Sequence, residues 1–502
     1  MIYLNFMINY KNKYRHSTRW KTSWIFVFIA ILCIPFADLS INTYDPLGEL
    51  VRLFSGLLNP SLTNISDPID ATLQTIAFAF SGVAFGCVVG FFLALIFHLR
   101  VVRTLCALLR SVHELFWALI FLQIFGLHPI TGLLALGIPY AATFAKIYAE
   151  IIEESDQRTY ETIRHHSSAL SAFFYARLPD LWPHFVTYTS YRFECGLRSS
   201  AVLGFVGLPT LGYYLNTAFL EGQYSEVWAL LLLFYLLIAS IHLWVRKPLL
   251  PIYLLIAPFI IANDSVISIA NVTRFFTHDI IPSPLRNGES LSALWHWFSQ
   301  LFMNEALPGI VNTLLLTQLA LVLTGILALL WFPFISSLFF NRFGRITGNS
   351  FLIIMRSTPE YILAFILLTL WGPSMLPAVL ALALHNGAII AHLMGRYANK
   401  LKLRDDINRG LNLYFFETLP RIYGQFLAFL FYRWEIIMRE TAILGILGIS
   451  TLGFYIDSAI ADIRLDKAIA LIAITAFLNI GVDMLSRFIR RKLRLKTSLE
   501  CA

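Results

Sequence analysis

Arginine and glutamate recur at fixed spacing within segments otherwise apolar enough for a membrane. Arg192, Glu194 and Arg198 form one set, and Arg433, Glu435 and Arg439 repeat it 241 positions later. A cation at the centre of a bilayer-spanning helix costs about 2.5–3.5 kcal/mol, so such groups face protein or a water-filled path. Glu194 and Arg198, like Glu435 and Arg439, are spaced i,i+4 and can meet on one helix face. Two chemistries fit: an ion pair that locks helix packing, or a positive potential along the route of an anion. His385 and Asn386 add polar groups to another apolar segment, as cavity lining or as a helix–helix hydrogen bond.

Bond-making machinery is not visible. The chain has no GxxxxGK[ST] loop to cradle nucleotide phosphates, and no HExxH, CxxC or GxSxG pattern. Its five cysteines (Cys33, Cys87, Cys106, Cys195 and Cys501) are scattered, which indicates neither a disulfide framework nor a metal site. The expectation is no enzyme, no bound cofactor and no metal, although catalytic residues gathered from distant helices would leave no such pattern.

The elements that must hold these charges follow from composition. Of 502 residues, 58% are hydrophobic and 14% charged, about half the charged share of a soluble domain. The excess of 38 Lys and Arg over 30 Asp and Glu therefore reads as membrane sidedness, not as a nucleic-acid patch. Stretches near the roughly 20 apolar residues needed to span a bilayer occur at about 23–39, 72–98, 113–127, 129–152, 184–206 and 227–245. A second series lies at about 248–263, 310–333, 360–371, 374–395, 422–447 and 467–486. The basic N-terminus followed by Trp24–Ala37 could pass for a signal peptide, but the many later spans favour a retained first helix. With twelve spans every basic cluster falls on one side, which places both termini in the cytoplasm.

The two series are copies. Residues 191–214 match 432–455 at twelve of twenty-four places, including Gly204 with Gly445, Gly207 with Gly448, and Thr210-Leu211-Gly212 with Thr451-Leu452-Gly453. Thr72-Leu73 falls on Thr313-Leu314 at the same offset. Further upstream the offset is 246, matching Arg110-Ser111 with Arg356-Ser357 and Glu114 with Glu360. The five-residue difference places a deletion between about 396 and 419. An even number of spans per copy makes the repeat parallel. The expected fold is an all-α polytopic membrane protein of about twelve transmembrane helices in two parallel six-helix repeats, residues 1–247 and 248–502. Gly82, Gly86 and Gly90, spaced by four, suit close helix packing.

A charged loop at about 153–180 carries Glu161, Ser167 and then Leu178-Pro179; the shortened loop at about 397–420 keeps Arg409-Gly410 and Leu419-Pro420. Proline disfavours helix in its predecessor, so Leu-Pro should mark where a short helix stops. Together with Arg110-Ser-Val-His-Glu114, Arg356-Ser-Thr-Pro-Glu360 and the repeated 191–214 segment, this resembles the phosphonate-type permeases of ABC importers. His113 departs from that pattern, which has Pro there; Ser167 stands where Gly is usual.

The resemblance implies a type I importer fold with two permease units fused in one chain, in a bacterial inner membrane. It implies coupling loops (Glu161, Ser167, Leu178, Pro179, Gly410, Leu419 and Pro420) that dock a separate cytoplasmic ABC ATPase dimer, which uses the ATP. An extracytoplasmic solute-binding protein would deliver a phosphonate or related phosphorus oxyanion. The alternatives are another small solute, or a secondary transporter with a parallel six-plus-six repeat; dependence on an ATPase separates the last from the rest.

Overall fold

The computed structural model describes residues 2–43, 45–63, 65, 67–155, 160, 162–163, 167–246, 249–261, 266–401 and 410–495. Among them the regular structure is all helical. Among the described residues six helices are long and apolar enough to cross a membrane: Thr18–Phe36, Pro68–Leu95, Pro129–Glu154, Leu291–Ile335, Met375–Ala398 and Leu465–Lys492. Each of the twelve expected spans falls on a helix. The remaining six lie on Glu114–Phe125, Leu178–Val202, Tyr224–Ala239, Leu250–Ile261, Glu360–Trp371 and Leu419–Ile446.

Two of these helices are halves of bent pairs. Arg100–Ser111 meets Glu114–Phe125 at 91°, and Arg342–Ser357 meets Glu360–Trp371 at 92°. Pro359 forces the extended backbone of Thr358 at the second bend (φ −68°, ψ 119°). At the first bend His113 does the equivalent work: its Nδ1 accepts the Leu115 N–H at 3.2 Å and caps the new helix. The departure from proline in copy one thus preserves the bend by different chemistry.

Packing divides the chain differently from its sequence halves. One unit comprises Val51–Pro282, the other Met1–Leu50 with Ser283–Ala502. In the latter, the first helix packs on copy-two residues: Trp20 stacks on Tyr423 at 4.7 Å, and Gln318 Nε2 donates to the Phe26 carbonyl. In the former, Gln74 Nε2 donates to the Ile260 carbonyl on Leu250–Ile261. The first span of each sequence copy therefore packs with the body of the other copy. Hydropathy and sidedness cannot foresee this, because they record what crosses the bilayer and not what it packs against.

Gly82, Gly86 and Gly90 press Pro68–Leu95 against Leu136, Tyr140 and Phe144 of Pro129–Glu154. A Cβ at each glycine would fall 2.5–2.7 Å from the partner's Cβ. That is the close packing the spacing suggests.

One expected correspondence shifts. Buried Thr75, not Thr72, is the counterpart of Thr313: Thr75 Oγ1 accepts the Leu211 N–H at 2.8 Å, and Thr313 Oγ1 accepts the Leu452 N–H at 3.0 Å. Each hydroxyl also donates to a carbonyl one turn back. Thr75→Val leaves a buried N–H without a partner, a loss of about 1–3 kcal/mol. Thermal unfolding of the purified chain should fall by several degrees, and clearly less for Thr72→Val. Equal shifts would argue against the reassigned register.

Candidate functional site

The repeated charges lie on Leu178–Val202 and Leu419–Ile446, and their burial repeats in register. Arg192, Glu194 and Arg198 are half-buried, as are Arg433, Glu435 and Arg439, while Phe193 and Trp434 between them are buried. Such helices tolerate charge because one face meets protein and not lipid.

Arg192 occupies an aromatic box. Its Nε donates to the Tyr188 hydroxyl at 2.7 Å, and the guanidinium carbon lies 5.2, 5.8 and 5.9 Å from the rings of Tyr188, Tyr140 and Tyr191. Among the described residues no carboxylate forms an ion pair with Arg192. Aromatic rings stabilise a cation without cancelling its charge. Arg198 Nη2 lies 3.7 Å from Cys195 Sγ.

The second copy builds a different polar centre at related positions. Asn386, which corresponds to Tyr140, donates from Nδ2 to Glu440 Oε2 at 2.8 Å, an inter-helix hydrogen bond. In the first copy Tyr140 OH meets Ser199 Oγ, the counterpart of Glu440, at 3.2 Å. His385, where copy one has Pro139, hydrogen-bonds through Nδ1 to the Thr358 carbonyl at 2.8 Å, and its Nε2 lies 4.0 Å from Glu360 Oε2. Sequence reasoning singled out His385 and Asn386 but missed Glu440. The available signal was the break in the repeat: a carboxylate in copy two where copy one has serine.

At the loop ends the structure corrects the expected effect of Leu-Pro. The helix does not stop there. A π-helical turn, Phe173–Arg177, runs directly into Leu178–Val202, and another, Leu413–Thr418, into Leu419–Ile446. A third, Phe302–Ala306, precedes Leu307-Pro308. Proline has no N–H to give and its ring crowds the preceding turn, so the wider turn accommodates it inside a continuous helix. Ser167 is exposed and bonds the Ile163 carbonyl at 3.0 Å; Gly410 is exposed at φ +85°. Glu161 and Arg409 lie outside the described residues.

The π turns before Leu178 and Leu419 present aromatic side chains outward. Tyr175 is 84% exposed and its counterpart Phe416 79%, flanked by exposed Phe174 and Phe415. Arg177 ties the first segment back, donating to the Ile152 carbonyl and, at 3.2 Å, to Ser155 Oγ. Sequence reasoning did not name these aromatics, since an apolar residue in a predominantly apolar chain carries little signal.

Comparison with known proteins gives a consistent picture. Residues 54–247 match the family described as binding-protein-dependent transport system inner membrane component. The phosphite transport system permease protein PtxC of Stutzerimonas stutzeri is 32% identical over 198 residues, 37% of this chain and 71% of that protein. The phosphate-import permease protein PhnE of Mycolicibacterium smegmatis is 24% identical over 430 residues, 78% of this chain and 77% of its own length. HtxE of Stutzerimonas stutzeri, whose name refers to phosphite transport, is 35% identical over 131 residues; that match covers 26% of this chain and half the length of HtxE. No solved structure matches.

Proposed function

This chain belongs to the binding-protein-dependent transport system inner membrane components, and from that premise we propose that it is the complete translocation path of an ATP-driven importer for a phosphorus oxyanion. Two permease units, 1–247 and 248–502, are supplied by one chain. Both termini and both Leu-Pro segments lie in the cytoplasm, where the segments dock two copies of a separate ATPase. An extracytoplasmic binding protein delivers the substrate. The path moves it by alternating access, with Arg192 offering a weak electropositive stop and the tight selection left to the binding protein. Names of relatives that refer to phosphite and phosphate support the substrate class.

The observation that carries the coupling role is the pair of exposed aromatic clusters, Phe174-Tyr175 and Phe415-Phe416, at equivalent places beside Leu178-Pro179 and Leu419-Pro420. Exposed aromatics that fill a partner's pocket typically contribute 2 kcal/mol or more each. Tyr175→Ala should therefore weaken retention of the ATPase on the purified chain by roughly tenfold or more. Phe416→Ala should do less, because its loop is the shortened one. Uptake that proceeds with the ATPase absent would replace this reading with a secondary transporter. Full retention in the Tyr175→Ala/Phe416→Ala double variant would remove the docking role.

A further inference from the structure

Three donor groups converge in the unit formed by 1–50 and 283–502. Glu360, His385 and Glu440 come from three different helices, yet one carboxylate oxygen from each glutamate and one ring nitrogen of His385 lie within 4.8 Å of one another. His385 is 3% exposed and Glu440 9%. We infer that Glu360, His385 and Glu440 form a binding site for a divalent cation of the zinc, manganese or iron(II) class.

Three independent features support this. The Nδ1 of His385 is engaged by the Thr358 carbonyl, which makes Nδ1 the protonated nitrogen and leaves Nε2 to face Glu360. Metal-bound histidines are held this way, with the other ring nitrogen donating to a carbonyl that fixes tautomer and orientation. The Nε2–Oε2 separation is 4.0 Å; a tetrahedral ion with bonds of about 2.0–2.2 Å holds its ligand atoms roughly 3.4 Å apart, so a closure of about half an ångström brings both into its shell. Finally, fully buried Asn386 donates to Glu440 through Nδ2, while its Oδ1 receives no hydrogen bond. A buried amide oxygen left open beside a carboxylate matches a group awaiting a cation or the water bound to one. One imidazole with two carboxylates suits a borderline ion better than a soft one.

The first copy lacks this donor set: Glu114 persists, but Pro139 and Ser199 replace His385 and Glu440. The site would hold one ion per chain. A buried cation there would bind the bent segment at Thr358-Pro359 to Met375–Ala398 and Leu419–Ile446. The inference stands apart from the transport reading, because it concerns ion content and not uptake.

The test uses the full chain, purified in detergent without a histidine tag, stripped by a chelator and then supplied with Zn²⁺. About one retained zinc per chain is expected, with affinity lowered roughly tenfold or more by Glu440→Gln and by His385→Ala. His392→Ala, which changes a histidine outside the cluster on the same helix, should retain the ion. Zinc retained equally by Glu440→Gln and the unaltered chain would overturn the inference, as would none in the unaltered chain. If His385→Ala fails to accumulate, Co²⁺ bound to the unaltered chain decides. A visible absorption band that Glu440→Asp shifts or abolishes supports the site; an unchanged or missing band refutes it.

Discussion

Gly212→Ala is expected to reduce the folded chain in the membrane by roughly tenfold or more, and Gly453→Ala to do nearly the same. A Cβ on Gly212 would sit 1.8 Å from the Ala201 carbonyl oxygen; on Gly453 it would sit 2.1 Å from the Ala442 oxygen. Both obstructions are backbone atoms, which cannot rotate aside as a side chain can. Gly204 and Gly445 face the same turns from the other side, with a Cβ 2.0 and 2.2 Å from the Tyr213 and Phe454 amide nitrogens. Overpacking a core with an extra methyl typically costs about 1–3 kcal/mol, and a backbone clash lies at or above the top of that range. Gly222 provides the contrast: it has φ +69° with nothing within 4 Å of a Cβ. Gly222→Ala should lose only about 1–2 kcal/mol, from strain in the left-handed region. Membrane abundance measured by quantitative immunoblotting distinguishes these outcomes. Similar losses for Gly212→Ala and Gly222→Ala would show that the close approach is not what sets stability here.

The second large effect concerns transport. Arg192→Gln should leave abundance within about twofold of normal and slow uptake roughly tenfold or more. The basis is that Arg192 sits among tyrosines and has no described carboxylate partner. Cation–π contacts contribute about 0.5–2 kcal/mol, less than the cost of a central charge, so a purely structural cation would be poorly placed there. Arg192→Lys keeps the charge but loses the planar group, and should restore part of the uptake. A sharp loss of protein with Arg192→Gln would point to a packing role instead. For Arg198 and Arg439 the question is whether they lock to Glu194 and Glu435. Removing one partner of a lock leaves a half-buried charge unpaired, and the lost stability should be seen as lost protein. Changing all four residues to Gln removes that penalty, so abundance should recover while transport stays impaired. Full transport by that variant would refute a pathway role for these charges.

Much of this architecture is legible in the residues alone. A bilayer imposes long apolar runs and a charge bias across its faces, and both are local properties of sequence. The duplication is equally legible, because charged residues and glycines rarely coincide in register between unrelated apolar helices. Arg192, Glu194, Arg198 and their copies were visible for the same reason: polarity stands out against an apolar background. The glycine spacing at 82, 86 and 90 announced a close helix contact, and the structure supplies its partner.

What the sequence could not decide depends on contacts between distant residues. Hydropathy locates Thr18–Phe36 and Leu250–Ile261 but does not say which body each packs on; only side-chain complementarity, such as Trp20 on Tyr423, settles that. Leu-Pro reads as a stop in isolation, yet a π turn accommodates the proline ring and lets the helix run on. Thr72 and Thr75 are equally plausible partners for Thr313 by residue type, and the buried N–H of Leu211 selects Thr75. Glu440 goes unnamed in its span until the fold places it beside Asn386 and His385. Apolar periodicity is set by the solvent around each helix separately. The meeting of Glu360, His385 and Glu440 is set by how three helices cross, and no local pattern encodes that.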